Sequence, residues 1–150
     1  RLFPIFKSAT TYPHLIEKNV SGNPDVASGD SLREKAWPLV EPHFLAGRKQ
    51  AMERYEQLGD RDRTSKEIRE ILPAAVQGRV ETLFAASTAH LWGYFNPDDA
   101  QADMHQSEQP GDQDLLDVAA VEVLQRGGNV YILDPSEIPG GGSVEALFRF

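Results

Sequence analysis

The residues able to do chemistry lie mostly in the second half of the chain. His90 follows Ser87 and Thr88, a grouping that a hydrolase uses for nucleophilic attack. No Gly-x-Ser-x-Gly elbow accompanies it. Asp103 and His105 are two residues apart, so on a strand they share one face. A carboxylate and an imidazole suit a divalent metal, and with His90 they form the candidate metal set. No further ligand stands at a telling spacing, and His14 and His43 are far away in sequence. Asp112, Asp114 and Asp117 imitate a catalytic acid pair, but their place at a helix start is explained by the positive end of the helix. Gly140-Gly141-Gly142-Ser143 lacks the lysine and following helix of a phosphate loop and reads as a flexible connection. Gly127-Gly128 falls at a helix C-terminus, the wrong end for an anion. The absence of cysteine excludes disulfides, thiolate zinc sites, iron–sulfur clusters and a cysteine nucleophile. It fits a reducing compartment, and the expectation is a cytoplasmic protein. No cofactor is implied by any of these groups.

Charge divides the chain. Its 150 residues are 40% hydrophobic, with a formal charge of −8, and no apolar run approaches a membrane span. Residues 1–80 carry 13 Lys/Arg against 11 Asp/Glu; residues 81–150 carry 2 against 12, a net of −10. Neither Lys nor Arg occurs between Arg79 and Arg126. Phosphate backbones need cations, so any RNA contact falls to Arg48, Lys49, Arg54, Arg61, Arg63, Lys66 and Arg69. Acids interleave with these seven, which also describes a solvated helical face. The acids Asp98, Asp99 and Asp103 offer a basic protein partner a complementary surface.

The elements that would hold these residues follow from pattern. Leu2–Phe6 is apolar and predicts a strand. Ser21–Asp30 is rich in Gly, Asn, Pro and Asp and predicts a loop. Asp30 or Ser31 caps a helix that kinks near Trp37-Pro38, runs to about Leu58 and closes at Gly59. Thr64 caps the next helix, with Glu67 at capping-box spacing and Ile68, Ile71, Leu72 and Ala75 on one face. Arg79–Ala86 and Leu91–Phe95 predict strands. Asn96-Pro97-Asp98-Asp99 predicts a turn that returns an antiparallel partner. Trp37, Trp92, Tyr94 and Phe95 could stack nucleic-acid bases but are expected in the core. Asp112–Arg126 predicts the clearest helix, followed by strands at Asn129–Asp134 and Val144–Phe150. Strand, helix, strand in this order implies an α/β layered domain with some parallel pairing.

The stretch Asp114-Leu-Leu-Asp-Val-Ala-Ala-Val-Glu-Val-Leu-Gln-Arg-Gly-Gly-Asn-Val-Tyr-Ile-Leu133, then Pro139-Gly-Gly-Gly142 and Ala146-Leu-Phe-Arg-Phe150, resembles a known family. It is similar to the C-terminal domain of bacterial and archaeal release-factor-like proteins, relatives of the eukaryotic-type peptide chain release factor and Pelota. Gly78-Arg79-Val80-Glu81-Thr82-Leu83, Asn23-Pro24-Asp25, the Trp37-Pro38 helix and the 64–77 helix fall in family order. The resemblance covers roughly residues 22–150. It implies a three-layer α/β/α sandwich with a mixed central sheet, of the kind seen in kink-turn-binding ribosomal proteins. It further implies that residues 1–21 are the tail of a preceding middle domain or a linker.

In the eukaryotic relatives this domain docks a translational GTPase. Their catalytic Gly-Gly-Gln lies in the middle domain and is absent from this sequence. The expectation is therefore a non-catalytic protein-interaction domain whose partner is a translational GTPase or the ribosome, contacted through Asp98, Asp99 and Asp103. The alternatives are an RNA-binding module using Arg48, Lys49, Arg61, Arg63 and Lys66, and a metal-assisted hydrolase around His90, Asp103 and His105.

Overall fold

The computed structural model describes residues 3–12, 15–22, 26–59 and 63–150. It contains two compact units, Arg1–Lys49 and Gln50–Phe150. Arg61, His14 and the Asn23-Pro24-Asp25 turn lie outside the described residues.

The first unit holds α1 (Phe3–Ala9) and most of α2 (Gly29–Leu58). The strand expected at Leu2–Phe6 is instead helix α1 from Phe3 onward. A short apolar run does not by itself choose between the two, and Pro4 has the fixed φ that a first helical turn accepts. Helix α2 starts earlier than expected, because the Ser28 hydroxyl oxygen accepts from the Ser31 amide at 3.3 Å. It is assigned as one helix with Pro38 and Pro42 inside it. No described residue of this unit is buried. Trp37, expected in the core, is half exposed and stacks on Phe44 with ring centroids 6.1 Å apart.

The second unit is organised by a four-stranded mixed sheet. Its elements are β1 (Thr64–Ser65), α3 (Ile68–Val76), β2 (Val80–Ala86), β3 (Trp92–Asn96), β4 (Gln101–Met104), β5 (Gln113–Asp114), α4 (Leu115–Gln125), β6 (Asn129–Leu133) and β7 (Val144–Phe148). The order is β1-β7-β2-β6, with β2 parallel to β6 and antiparallel to β7. A crossover through α4 allows the parallel pair, as the strand–helix–strand pattern predicted. A smaller antiparallel sheet has the order β4-β3-β5.

Strand β2 is apolar on both faces because both are covered. On one side Val80 and Leu83 pack with Ile68, Ile71, Leu72 and Ala75 of α3 and Leu116, Ala119 and Val123 of α4. On the other side Phe84 and Ala86 pack with Ala51 and Tyr55 from the end of α2, and with Leu133, Ile138 and Leu147. Helices on both faces of a mixed sheet make the expected α/β/α sandwich.

Local caps differ from expectation where the sheet intervenes. Thr64 does not cap α3; Thr64 and Ser65 pair with Leu147 and Ala146 as an edge strand. The Ser65 hydroxyl then accepts from the Glu67 amide at 3.1 Å and donates to Glu70 at 2.6 Å. Gly78 closes α3 with φ of +71°, a conformation that favours glycine. Helix α4 begins at Leu115, with Asp114 accepting from the Leu116 amide at 3.0 Å. No helix among the described residues is long and apolar enough to cross a membrane.

Phe84 is fully buried between Tyr55, 5.9 Å away edge-on, and Tyr131, stacked at 5.8 Å. Phe84→Ala is expected to cost about 3–5 kcal/mol. Tyr94→Ala, whose ring faces solvent, should stay within about 0.5 kcal/mol. Urea unfolding checks both through midpoint shifts at unchanged slope.

Candidate docking surface

The β3–β4 hairpin sorts its side chains by the period-2 alternation of a strand. Phe95 and Ala102, cross-strand partners, turn toward the core under α3 and α4. Trp92 and Tyr94 turn the other way, and Tyr94 sits opposite Asp103. Tyr94 is therefore half exposed rather than core, and of the four aromatics expected there only Phe95 is buried. Gly93 has no room for a Cβ, which would overlap the Asp103 carbonyl and the Leu115 side chain. The turn is held by Asn96, which accepts from the Asp98 amide at 3.1 Å, and Asp99, which accepts from the Gln101 amide at 3.2 Å. Ala100 takes the left-handed conformation at φ +56°.

Two histidine–aspartate pairs border this face. His90 stacks on Trp92 at 5.5 Å and its Nδ1 lies 2.6 Å from Asp114. Asp114 is also the α4 cap and accepts from the Leu91 amide at 3.2 Å. His105 Nδ1 lies 2.9 Å from Asp112, whose carboxylate also accepts from the Gln109 amide at 2.9 Å. The His105 hydrogen bond holds the Asp112 carboxyl below the usual carboxylate range. His90 and His105 are thus committed to different aspartates. No group of three metal-ligating side chains comes together among the described residues.

Residues 81–125 bring acids and no Lys or Arg to this face, and Arg69 of α3 lies beside it. Asp98, Asp99 and Asp103 are exposed. The two cations of residues 81–150 are engaged with each other's surroundings. Arg126 lies 3.7 Å from Glu122, and Arg149 donates to the Arg126 carbonyl at 3.2 Å. Arg69 of α3 and residues Ala100–Asp103 line a cleft of about 340 Å³ beside the hairpin.

Two of the cations expected to contact RNA make contacts inside the second unit. Arg63 donates to the carbonyls of Phe148, at 3.0 Å, and Arg149. Lys66 donates to the Gly140 carbonyl at 2.9 Å and lies 3.3 Å from Glu145. Arg48 and Lys49 are in the other unit and have internal partners of their own.

Glu145 went unnoticed in the sequence, although a glutamate inside Val144-Glu-Ala-Leu-Phe148 is the signal. It is fully buried, on the α2 side of the sheet, and accepts from the Tyr55 hydroxyl. Burial pushes its carboxyl above the ordinary range, and the Gly140 backbone partly opposes that. An added Cβ at Gly140 would overlap the Glu145 carboxylate and the Lys66 ammonium. The triple glycine is therefore a close-packed approach at Gly140 rather than only a flexible connection.

The model of bacterial archaeo-eukaryotic release factor family 3 matches residues 1–79. The chain belongs to that family. Membership makes it a translation-related, release-factor-like protein. The match ends just before β2, so the residues of 114–150 that carry the resemblance rest on structural likeness instead. The C-terminal domain of the Peptide Chain Release Factor from Methanosarcina mazei superposes with a TM-score of 0.51 at 11% identity. That alignment covers 83% of this chain and 97% of that domain, and it establishes a shared fold. Ribosome-bound archaeal Pelota with ABCE1 gives 0.46 at 16% identity, covering 89% of this chain and 36% of that one. Archaeoglobus fulgidus Pelota gives 0.45 at 21% identity, covering 79% and 34%. The family 3 chain thus spans about a third of the Pelota chains it matches. No curated protein sequence matches it significantly.

Asp112 and Glu145 predict opposite pH trends. Asp112, held low, stabilises the fold above the carboxylate range, and that contribution fades as acid protonates it. Glu145, held high, keeps its proton longer in the folded chain than in the unfolded one. Its contribution is complete in acid and is lost as pH rises through its raised value. Glu145→Gln keeps an acceptor for Tyr55 without the charge. The melting temperature of the variant relative to wild type should climb from pH 4 to pH 8, and a difference independent of pH would contradict this.

Proposed function

We propose that residues 22–150 form a non-catalytic protein-docking domain of a release-factor-like protein that works at the ribosome in termination, rescue or stress. The partner is a basic protein surface, that of a translational GTPase or of the ribosome itself, and the setting is cytoplasmic. One observation carries the reading. The β3–β4 hairpin presents Tyr94 opposite Asp103, with Asp98 and Asp99 exposed in its turn and no Lys or Arg within residues 81–125. Aromatic rings supply contact area at low entropic cost, and cations stack on their faces. Carboxylates around them steer a basic partner and reject phosphate. The family supports a setting in translation, and the charge of the face supports a basic partner. No reaction is assigned: His90 and His105 each pair with an aspartate of their own, and no group of three metal-ligating side chains comes together among the described residues.

A photo-crosslinking amino acid at position 94 tests this in cells. The expected adducts are protein, from lysine- and arginine-rich segments. Reversing Asp98, Asp99 and Asp103 to lysine should lower their yield about tenfold or more at low salt, with a smaller effect at high salt. Adducts to RNA, or a yield indifferent to the reversal, would overturn the proposal.

A further inference from the structure

A second surface lies at the other sheet. Strand β6 ends the order β1-β7-β2-β6, so β2 lies on one side of it and, among the described residues, no strand on the other. The Leu133 carbonyl accepts from the Ser87 amide at 2.7 Å, on the β2 side. Backbone direction alternates along a strand, so Val130 and Ile132 aim their amides and carbonyls away from the sheet.

Edges of this kind are normally guarded by charge, proline, a bulge or brevity. The other edges here are guarded. Strand β1 has two residues, between Arg63 and Lys66; β5 has two residues; β4 carries Asp103. Strand β6 is Asn-Val-Tyr-Ile-Leu, five residues without a charge or proline, in unbroken register with β2. Its Ile132 is 59% exposed. Helix α4, which packs on β6, leaves Val121 and Leu124 exposed as well.

We infer that β6 is a strand-addition site for an extended, basic segment of a partner protein. The hydrogen bonds come from Val130 and Ile132, and apolar contact comes from Ile132, Val121 and Leu124. Charge selects the occupant. Residues 81–150 have a net charge of −10 and the whole chain −8, so a second copy would meet repulsion of like charge. Asp117 lies one helical turn before Val121, and Asp134 follows the strand directly. Hydrogen bonds from Ser136 hold the Asp134 carboxyl below the usual range. Lysines or arginines alternating with apolar residues in the incoming strand would meet both. This site is separate from the hairpin face, so either can be disproved alone.

The test is an amide NMR titration of the whole chain with Ac-Lys-Val-Lys-Val-Lys-Val-Lys-NH2. Expected are shifts at residues 129–133 and slowed exchange of the Val130 and Ile132 amides. Binding should be at least tenfold weaker for the Glu/Val counterpart and for a peptide N-methylated along one edge. Ile132→Pro removes an outward amide without touching the β2 ladder and should abolish binding. Should that variant not fold, Ile132→Lys keeps the amide, guards the edge with charge and should weaken binding tenfold. No shifts at millimolar peptide, equal binding of the N-methylated peptide, or pairing of two copies through β6 without peptide would each overturn the inference.

Discussion

Strand β2 must bury both of its faces and pair along both of its edges, and the rest of the second unit follows from that. Of Val80–Ala86 only Glu81 is not buried. Leu83 faces α3 and α4, while Phe84 faces the end of α2. Each neighbour of β2 is therefore apolar toward it, and the helices have to lie on opposite sides. The hydrophobic term is the largest favourable one in such a unit, and here it is gathered around one strand. The exception within the sheet is instructive. Glu145 enters beside Phe84 and needs Tyr55, Lys66 and the bare backbone of Gly140 around it. A buried carboxylate is costly without partners, so residues far apart in sequence are constrained by one side chain.

This core leaves function to the surfaces it does not consume. The chain has 12 acids and 2 cations beyond residue 80, and both cations are held by local contacts. The hairpin rises from the α3–α4 side with Phe95 anchored beneath it, so its outer face is displayed on a fixed support. Arg63 and Lys66, which look like free cations in the sequence, are spent on holding the end of β7 and the glycine loop.

What was legible in the sequence was local. Ile68, Ile71, Leu72 and Ala75 announce α3 by their spacing, and Asn96-Pro97-Asp98-Asp99 announces the turn between β3 and β4. Gly127 closes α4 as expected, although the helix starts at Leu115 rather than Asp112 because Gln113–Asp114 pair as β5, and the order of elements implies the parallel pair. The misses are contacts between distant residues. Thr64 looks like a helix cap until Ala146 and Leu147 recruit it to a sheet edge. Tyr94 and Trp37 look like core until a face or a layer to cover them is found wanting. Charge alone singles out Asp98, Asp99 and Asp103 in the sequence, and the exposure of the Tyr94 ring depends on which way β3 faces.

The most direct measurement is co-sedimentation of the full-length protein with ribosomes from its own lysate over a salt series. Wild type and the lysine reversal at Asp98, Asp99 and Asp103 would be compared side by side. The account predicts that wild type travels with ribosomes at low salt and is released as salt rises, while the reversed protein stays in the supernatant throughout. If the two travel alike, or neither travels at any salt, the hairpin face is not how this domain reaches the translation machinery.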